Sequence, residues 1–233
     1  MKKLLILMAG LFVVTAINSQ SVDEIVKNYS VATKQDKLAK ITSIKITGKM
    51  SAMGMEMPMV MMMKNPNKVK VIYTFNGQDI VSVFDGEKGY MVNPMMGSSD
   101  PVELTGAQLD QVKNNNAFQN QIATHFKNGK LTLEGQENVN DKPAFKLKVT
   151  TGDEPVYMFL DKSSYLLVKL TTKANQMGTM MDIDTYMTDY VDIEGVVMPK
   201  KTTAMANGME AAVISFDKIE VNLPMDDSVF KVK

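Results

Sequence analysis

The chain has 233 residues, 45% of them apolar, and sets 26 basic against 26 acidic side chains. A zero net charge leaves no long-range field to draw it to nucleic acid or an anionic membrane, and with every basic residue a lysine, forked guanidinium recognition of phosphate is excluded. Cysteine and tryptophan are absent, so disulfide staples, an anchor on an N-terminal cysteine and a tryptophan stacking platform are excluded as well.

Lys2 and Lys3 precede an apolar run over residues 4–17, too short for a comfortable membrane span and followed by small polar residues. This predicts a secretory signal peptide over residues 1–20, cleaved between Ala16 and Gln20, and one mature domain over residues 21–233. Ser21 and Glu24 form a capping box, and Val22, Ile25, Val26 and Tyr29 recur at helical spacing. A helix to about Ala32 follows, then a short one near residues 36–40 that brings Leu38 and Ile41 to the core.

From there the apolar period is two. Ile44, Ile46, Met50 and Ala52 share one strand face. Residues 50–64 hold eight of the chain's 22 methionines, and Met57, Met59, Met61 and Met63 alternate strictly. A two-residue turn at Gly54-Met55 would pair Ile46 with Met63 and Met50 with Met59, continuing the face. Asn65-Pro66-Asn67 turns the chain so that Lys64 meets Lys68 and Val69, Val71, Tyr73 and Phe75 join the same face. Asn76-Gly77 is a type I′ signal leading to Ile80 and Phe84. A short strand through Tyr90 and Val92 is expected next, then a loop over residues 93–101.

Thr105 is placed to cap a helix carrying Leu109 and Val112. Asn114-Asn115-Asn116 interrupts it before a second helical piece with Phe118, Ile122 and Phe126. Helices in the middle of a β sequence must cover something, so Leu109, Val112, Phe118 and Ile122 are read as a lid. Strands then resume to the C-terminus, with turns at Asn140-Asp141 and Glu194-Gly195, and residues 223–230 pack back through Leu223, Val229 and Phe230. The pattern predicts a mainly β, α+β chain: a single curved antiparallel sheet of about ten or eleven strands, forming an unclosed β-barrel with helices over its concave face.

The succession of pieces resembles the periplasmic lipoprotein carriers, the LolA/LolB-like outer-membrane lipoprotein-sorting proteins. The resemblance runs through the opening helix at Val22 to Tyr29, the Lys64-Asn65-Pro66-Asn67-Lys68 turn and Phe84-Asp85-Gly86-Glu87-Lys88-Gly89-Tyr90. It continues through Asn93-Pro94, Tyr157 to Asp161, Tyr190 to Pro199 and Asp226-Asp227-Ser228-Val229-Phe230. It implies an unclosed barrel with a helical lid over an apolar cavity, and an activity of binding acyl chains to ferry lipoproteins toward the outer membrane. The arginine latch and barrel tryptophans of the better-known carriers have no counterpart here.

Three readings of the methionine stripe stand: plain core, a compliant wall for acyl chains, or a soft Cu(I) site. The copper reading finds no cysteine and one histidine, His125, to help it, with alternate sulfurs about 7 Å apart along a strand. The acyl reading takes Ile44, Ile46, Met50, Met57, Met59, Met61, Met63, Val71, Tyr73 and Phe75 as cavity wall, with Tyr73 and Tyr90 at the mouth. Asp182 with Asp184 reads as a solvated outer face and Asp226-Asp227 as a turn, so no metal site is expected. No nucleophile elbow, zinc helix or phosphate loop occurs. The expectation is a non-enzymatic periplasmic carrier without a cofactor, meeting lipid acyl chains or lipoproteins and membrane partner proteins; the alternatives are a Cu(I)-binding protein or an envelope-sensing, structural interaction domain.

Overall fold

The structure, a computed structural model, describes residues 20–150, 154–176 and 179–232. The expected signal peptide falls on residues 1–19, outside the described residues. The chain opens with α1 (Val22–Ala32) and α2 (Gln35–Leu38). Ser21 caps α1, its hydroxyl accepting from the Glu24 N–H, and Ile25 and Val26 form the helix's buried stripe.

Six strands follow: β1 (Ser43–Ala52), β2 (Met55–Lys64), β3 (Lys68–Phe75), β4 (Gln78–Phe84), β5 (Gly89–Asn93) and β6 (Ser98–Leu104). Then come α3 (Gly106–Asn114) and α4 (Gln121–Lys127). Seven more strands complete the chain: β7 (Leu131–Val139), β8 (Lys142–Thr150), β9 (Pro155–Asp161), β10 (Leu167–Gln176), β11 (Thr179–Ile193), β12 (Val196–Ala206) and β13 (Met209–Val221). All thirteen belong to one antiparallel sheet in the order β6-β5-β4-β3-β2-β1-β13-β12-β11-β10-β9-β8-β7. The first and last strands pair at its centre, and β6 and β7 end it without pairing to each other. The barrel is unclosed, as the sequence predicted.

Three details differ from the sequence reading. The strands number thirteen rather than ten or eleven, partly because residues 98–104, expected as loop, form β6. Pro101 disguised it: an edge strand is hydrogen-bonded on one side only and tolerates a residue without an N–H. The β1–β2 turn is Met53-Gly54, both at positive φ, so Ile46 faces Met61 and Met50 faces Met57. That register is two residues from the expected one, and a shift of two leaves each side chain on its face. Phe118, finally, lies between α3 and α4, because Asn116 diverts the chain there.

The Lys64–Lys68 and Phe75–Gln78 pairings occur as expected, the latter around Asn76-Gly77 with φ of 50° and 77°. A bulge at Thr47/Gly48 lets β1 hug β13 so closely that a Cβ on Gly48 would stand 2.1 Å from the Ser215 carbonyl oxygen. Behind the sheet, a 3₁₀ turn (Asp227–Phe230) folds the C-terminal tail against β3, burying Phe230. Lys64 and Lys68 grip Asp227 at 2.6 and 2.9 Å, and the Lys70 ammonium donates to the Val229 carbonyl at 3.0 Å.

Candidate functional site

Two cores lie under the helices on the concave side. The first joins Ile44, Ile46, Met59, Met63, Val69 and Val71 to Leu38 and Ile41, with Met61, Tyr73 and Phe118 packed against it. Met50, Met57 and Phe75 extend this face toward the Met53-Gly54 and Asn76-Gly77 turns and are half-buried. The second core joins Ile25 and Val26 of α1 and Ile122 of α4 to Leu131, Phe145, Leu147, Val149, Met158 and Leu160. Leu109 and Val112 of α3 sit elsewhere, with Phe84, Leu104 and Met91. The four expected lid residues thus touch three separate patches of one concave face. Tyr90 pairs with Val83, on the face opposite Met91 and Gly89, and lies outside the barrel.

Asparagines fasten the lid. Asn116 is buried; its amide donates to the Pro66 carbonyl at 3.2 Å and its side-chain oxygen accepts from the Phe118 N–H at 2.9 Å. The next residue, Ala117, donates its backbone N–H to the Met63 sulfur. Asn120 caps α4 by accepting from the Ala123 N–H and reaches Ser30 of α1 at 3.2 Å. Lys113 lies over the Phe84 ring, 5.1 Å from its centroid. The polar patch that interrupts the helical pattern is the lid's anchor. Its signal was legible as three consecutive asparagines, but which of them turned inward was not.

Between lid and sheet, on the C-terminal half, lies a cavity of about 630 Å³. Its floor is mainly apolar: Val149 of β8, Val156 and Met158 of β9, and Leu167 and Leu170 of β10 beside the one polar side chain Thr172, with Ile122 and Tyr29 from the helices. Its roof is polar and comes from the lid: Asp110, Asn114, Gln119, Gln121 and His125. Of the residues picked from the sequence as wall or lid, Ile122 alone lines it. The floor strands were visible as apolar runs, yet nothing in their pattern distinguished a hollow from a packed core.

Burial at the cavity favours the uncharged forms of Tyr29 and His125. Burial pushes the Tyr29 phenol up to about 12, and burial, aided by Tyr29, raises Tyr190 as well. Tyr190 donates to the Leu167 carbonyl at 2.7 Å, fixing the start of β10. Burial and the nearby Lys130 ammonium both hold His125 below its ordinary value of 6.5. An amphipathic guest fits such a space, its tail on the floor and its polar end against the amides of the roof.

The outer face of β11 and β12 carries a second depression of about 700 Å³ around Asp182, Asp184, Tyr186 and Lys201. Asp184 there is already engaged, by Lys169 at 2.9 Å and the Thr171 hydroxyl at 2.6 Å, and no helix covers the hollow. Among the described residues, no three histidine, aspartate or glutamate side chains gather as a metal site would require, and no helix is long and apolar enough to cross a membrane.

No family sequence model and no curated protein match the chain by sequence. Solved structures do match by shape. An outer membrane lipoprotein-sorting protein domain from Vibrio parahaemolyticus aligns with a TM-score of 0.62 at 9% identity, over 90% of this chain and 97% of that one. A LolA superfamily protein from Nitrosomonas europaea gives 0.59 at 13% identity, over 92% and 99%. A DUF1329 family protein from Desulfovibrio piger gives 0.59 at 13% identity, over 91% and 98%. The fold of this chain is the LolA-like one, an unclosed antiparallel barrel with a helical lid.

Proposed function

We propose that the chain is a non-enzymatic lipid or lipoprotein carrier of the bacterial envelope, exported by the signal peptide read in residues 1–20. One observation carries this reading: a cavity of about 630 Å³ with an apolar floor on the sheet and a polar roof on a separately anchored lid. Small-molecule sites occupy roughly 300–1,000 Å³. Each buried methylene contributes about 0.8 kcal/mol, so a tail of roughly ten sets a ceiling near micromolar affinity before ordering costs are subtracted. The methionine stripe then serves as compliant wall and lid seat beside the cavity, and a guest longer than the cavity would spread over it. The resemblance of fold to a lipoprotein-sorting domain and a LolA superfamily protein supports the same reading.

The test is lipid extraction and native mass spectrometry of protein purified from a Gram-negative periplasm, paired with displacement of a fluorescent fatty acid. Co-purifying lipid and saturable displacement are expected. In Leu170→Trp, which fills the cavity from its floor, displacement should be lost while the melting temperature stays within a few degrees. Absence of both lipid and displacement in the wild type would overturn the reading.

A further inference from the structure

In an antiparallel meander alternate turns lie at the same end of the sheet. Here the turns β1–β2, β3–β4, β5–β6 and β12–β13 and the paired ends of β10 and β11 gather at one end, and α2 and the β11–β12 turn stand at the other, where Lys34 pairs with Asp192. The first end carries the surface methionines. Met53 lies in the β1–β2 turn and Met55 opens β2, Met95 and Met96 belong to the 3₁₀ turn before β6, Met180 is the second residue of β11 and Met209 opens β13. Their exposure runs from 45% to 93%, and among the described residues they are six of the eight exposed large apolar side chains. Chance placement of surface methionines would not confine them to one rim.

The rim's charge pattern points to one kind of partner. Its outermost residues, Met53-Gly54, Asn76-Gly77, Met95-Met96-Gly97 and Asn207-Gly208, are uncharged. Glu56 stands one residue behind Met55 and is neutralised by Lys49 at 2.7 Å, and Lys173 near Met180 is matched by Glu154 at 3.4 Å. The methionines sit on four separate hairpins; the depression beside Asn207-Gly208 is lined by Asp182, Asp184 and Lys201 and not by them, and the free edge of β6 borders only Met95 and Met96. A shaped protein surface would engage one groove or edge, whereas a fluid apolar layer meets several flexible apolar tips at once. The cavity floor also reaches toward this rim: Val149 and Val156 pair at the end of β8 and the start of β9, on the same end of the sheet.

We infer that the methionine rim docks on the surface of a lipid bilayer, with the hairpin tips in the headgroup region and the cavity mouth facing the lipid. The docking is apolar and independent of net charge, in keeping with equal numbers of acidic and basic residues. It goes beyond the carrier reading and stands whether or not the cavity holds a guest.

The experiment is co-sedimentation of residues 21–233 with vesicles of neutral phosphatidylcholine, repeated with increasing anionic lipid and salt. Binding should occur on neutral vesicles and change little with either. The combined variant Met53→Lys, Met96→Lys, Met209→Lys should lose it at least tenfold, while Val31→Lys, an exposed apolar residue on α1, should leave it unchanged. Because the chain has no tryptophan, Met96→Trp provides a silent-background probe whose emission should shift to the blue and be quenched by brominated lipid. Failure of the wild type to bind neutral vesicles, or equal binding by the triple-lysine variant, would overturn the inference. So would dimerisation abolished by the same substitutions in the absence of vesicle binding, which would assign the rim to a second copy. Leu170→Trp separates the two proposals, since it should lose the fatty acid and keep the vesicles.

Discussion

The backbone N–H of Ala117 donates to the sulfur of Met63 at 3.3 Å. Met63 is fully buried, so one member of the methionine stripe is both core and acceptor for the lid. A thioether is a weak acceptor, but a buried amide left without a partner costs about 1–3 kcal/mol. Met63→Leu keeps volume at a cost below about 1.5 kcal/mol, yet should speed hydrogen exchange at Ala117 and the release of a fluorescent fatty acid. Exchange unchanged at Ala117 would show that the lid does not depend on this contact.

Asn116→Ala removes both a donor to Pro66 and an acceptor for Phe118. A loss of about 1–3 kcal/mol is expected, which for a domain of this size lowers the melting temperature by about 2–4 °C per kcal/mol. Denaturant titration measures it, and a shift no larger than that of exposed Asn115→Ala would contradict the anchoring role.

His125 is the chain's one histidine, so its ring protons report a single site. Its folded value lies below the ordinary 6.5, through burial first and then Lys130. The folded state therefore binds the proton less readily than the unfolded one. Its contribution to stability is full above about 6.5 and falls away as pH drops through the unfolded value toward the folded one. An uncharged alkyl guest excludes more water and should lower the folded value further. Proton NMR with and without dodecanol checks both statements; a titration above 6.5 in the free protein would refute them.

Asp227 is the opposite case. Hydrogen bonds from Lys64 and Lys68 depress its carboxyl to about 2. Its contribution is present above the unfolded value of about 3.9 and is lost as pH falls through the folded one. The pair is exposed, so salt weakens it. Asp227→Asn should expose Phe230 and Val229 to faster exchange at neutral pH, and the difference from wild type should vanish near pH ~2. A difference that persists there, or in high salt, would assign the tail's docking to apolar contact alone.

Gly48→Ala drives a methyl group to 2.1 Å from the Ser215 carbonyl at the seam of β1 and β13. Backbone cannot yield there without breaking the central ladder, so a loss at or above about 1–3 kcal/mol is expected. Gly54→Ala, where an added Cβ meets nothing but φ is +74°, should cost less. Equal losses in thermal unfolding would mean that the seam is looser than its register implies.

The period of two from Ile44 to Phe84, the Asn76-Gly77 turn and the capping box at Ser21 made the N-terminal half of the sheet readable residue by residue. Local chemistry governs those features. The β1–β2 register came out two residues away because either two-residue turn around Gly54 leaves the apolar parity intact. β6 was missed because Ser98, Ser99, Asp100 and Pro101 are loop formers that an edge strand accepts. The cavity was harder. A half-empty space depends on how far α4 stands from Met158 and Leu170, and that distance is fixed by Asn116, Asn120 and Ser30 from two distant parts of the chain. Apolar periodicity names the residues that leave water; it does not say whether they meet each other.

Pairing β1 with β13 at the middle of the sheet makes its two free margins, β6 and β7, neighbours along the chain. The stretch between them is the lid itself, so the helices that roof the cavity are also a strap across the barrel's slot. Gap width and lid position are one mechanical variable, and anything that pries β6 from β7 must pull on Asn116 and Asn120. A chain cut between α3 and α4 would keep every strand pairing and lose that strap.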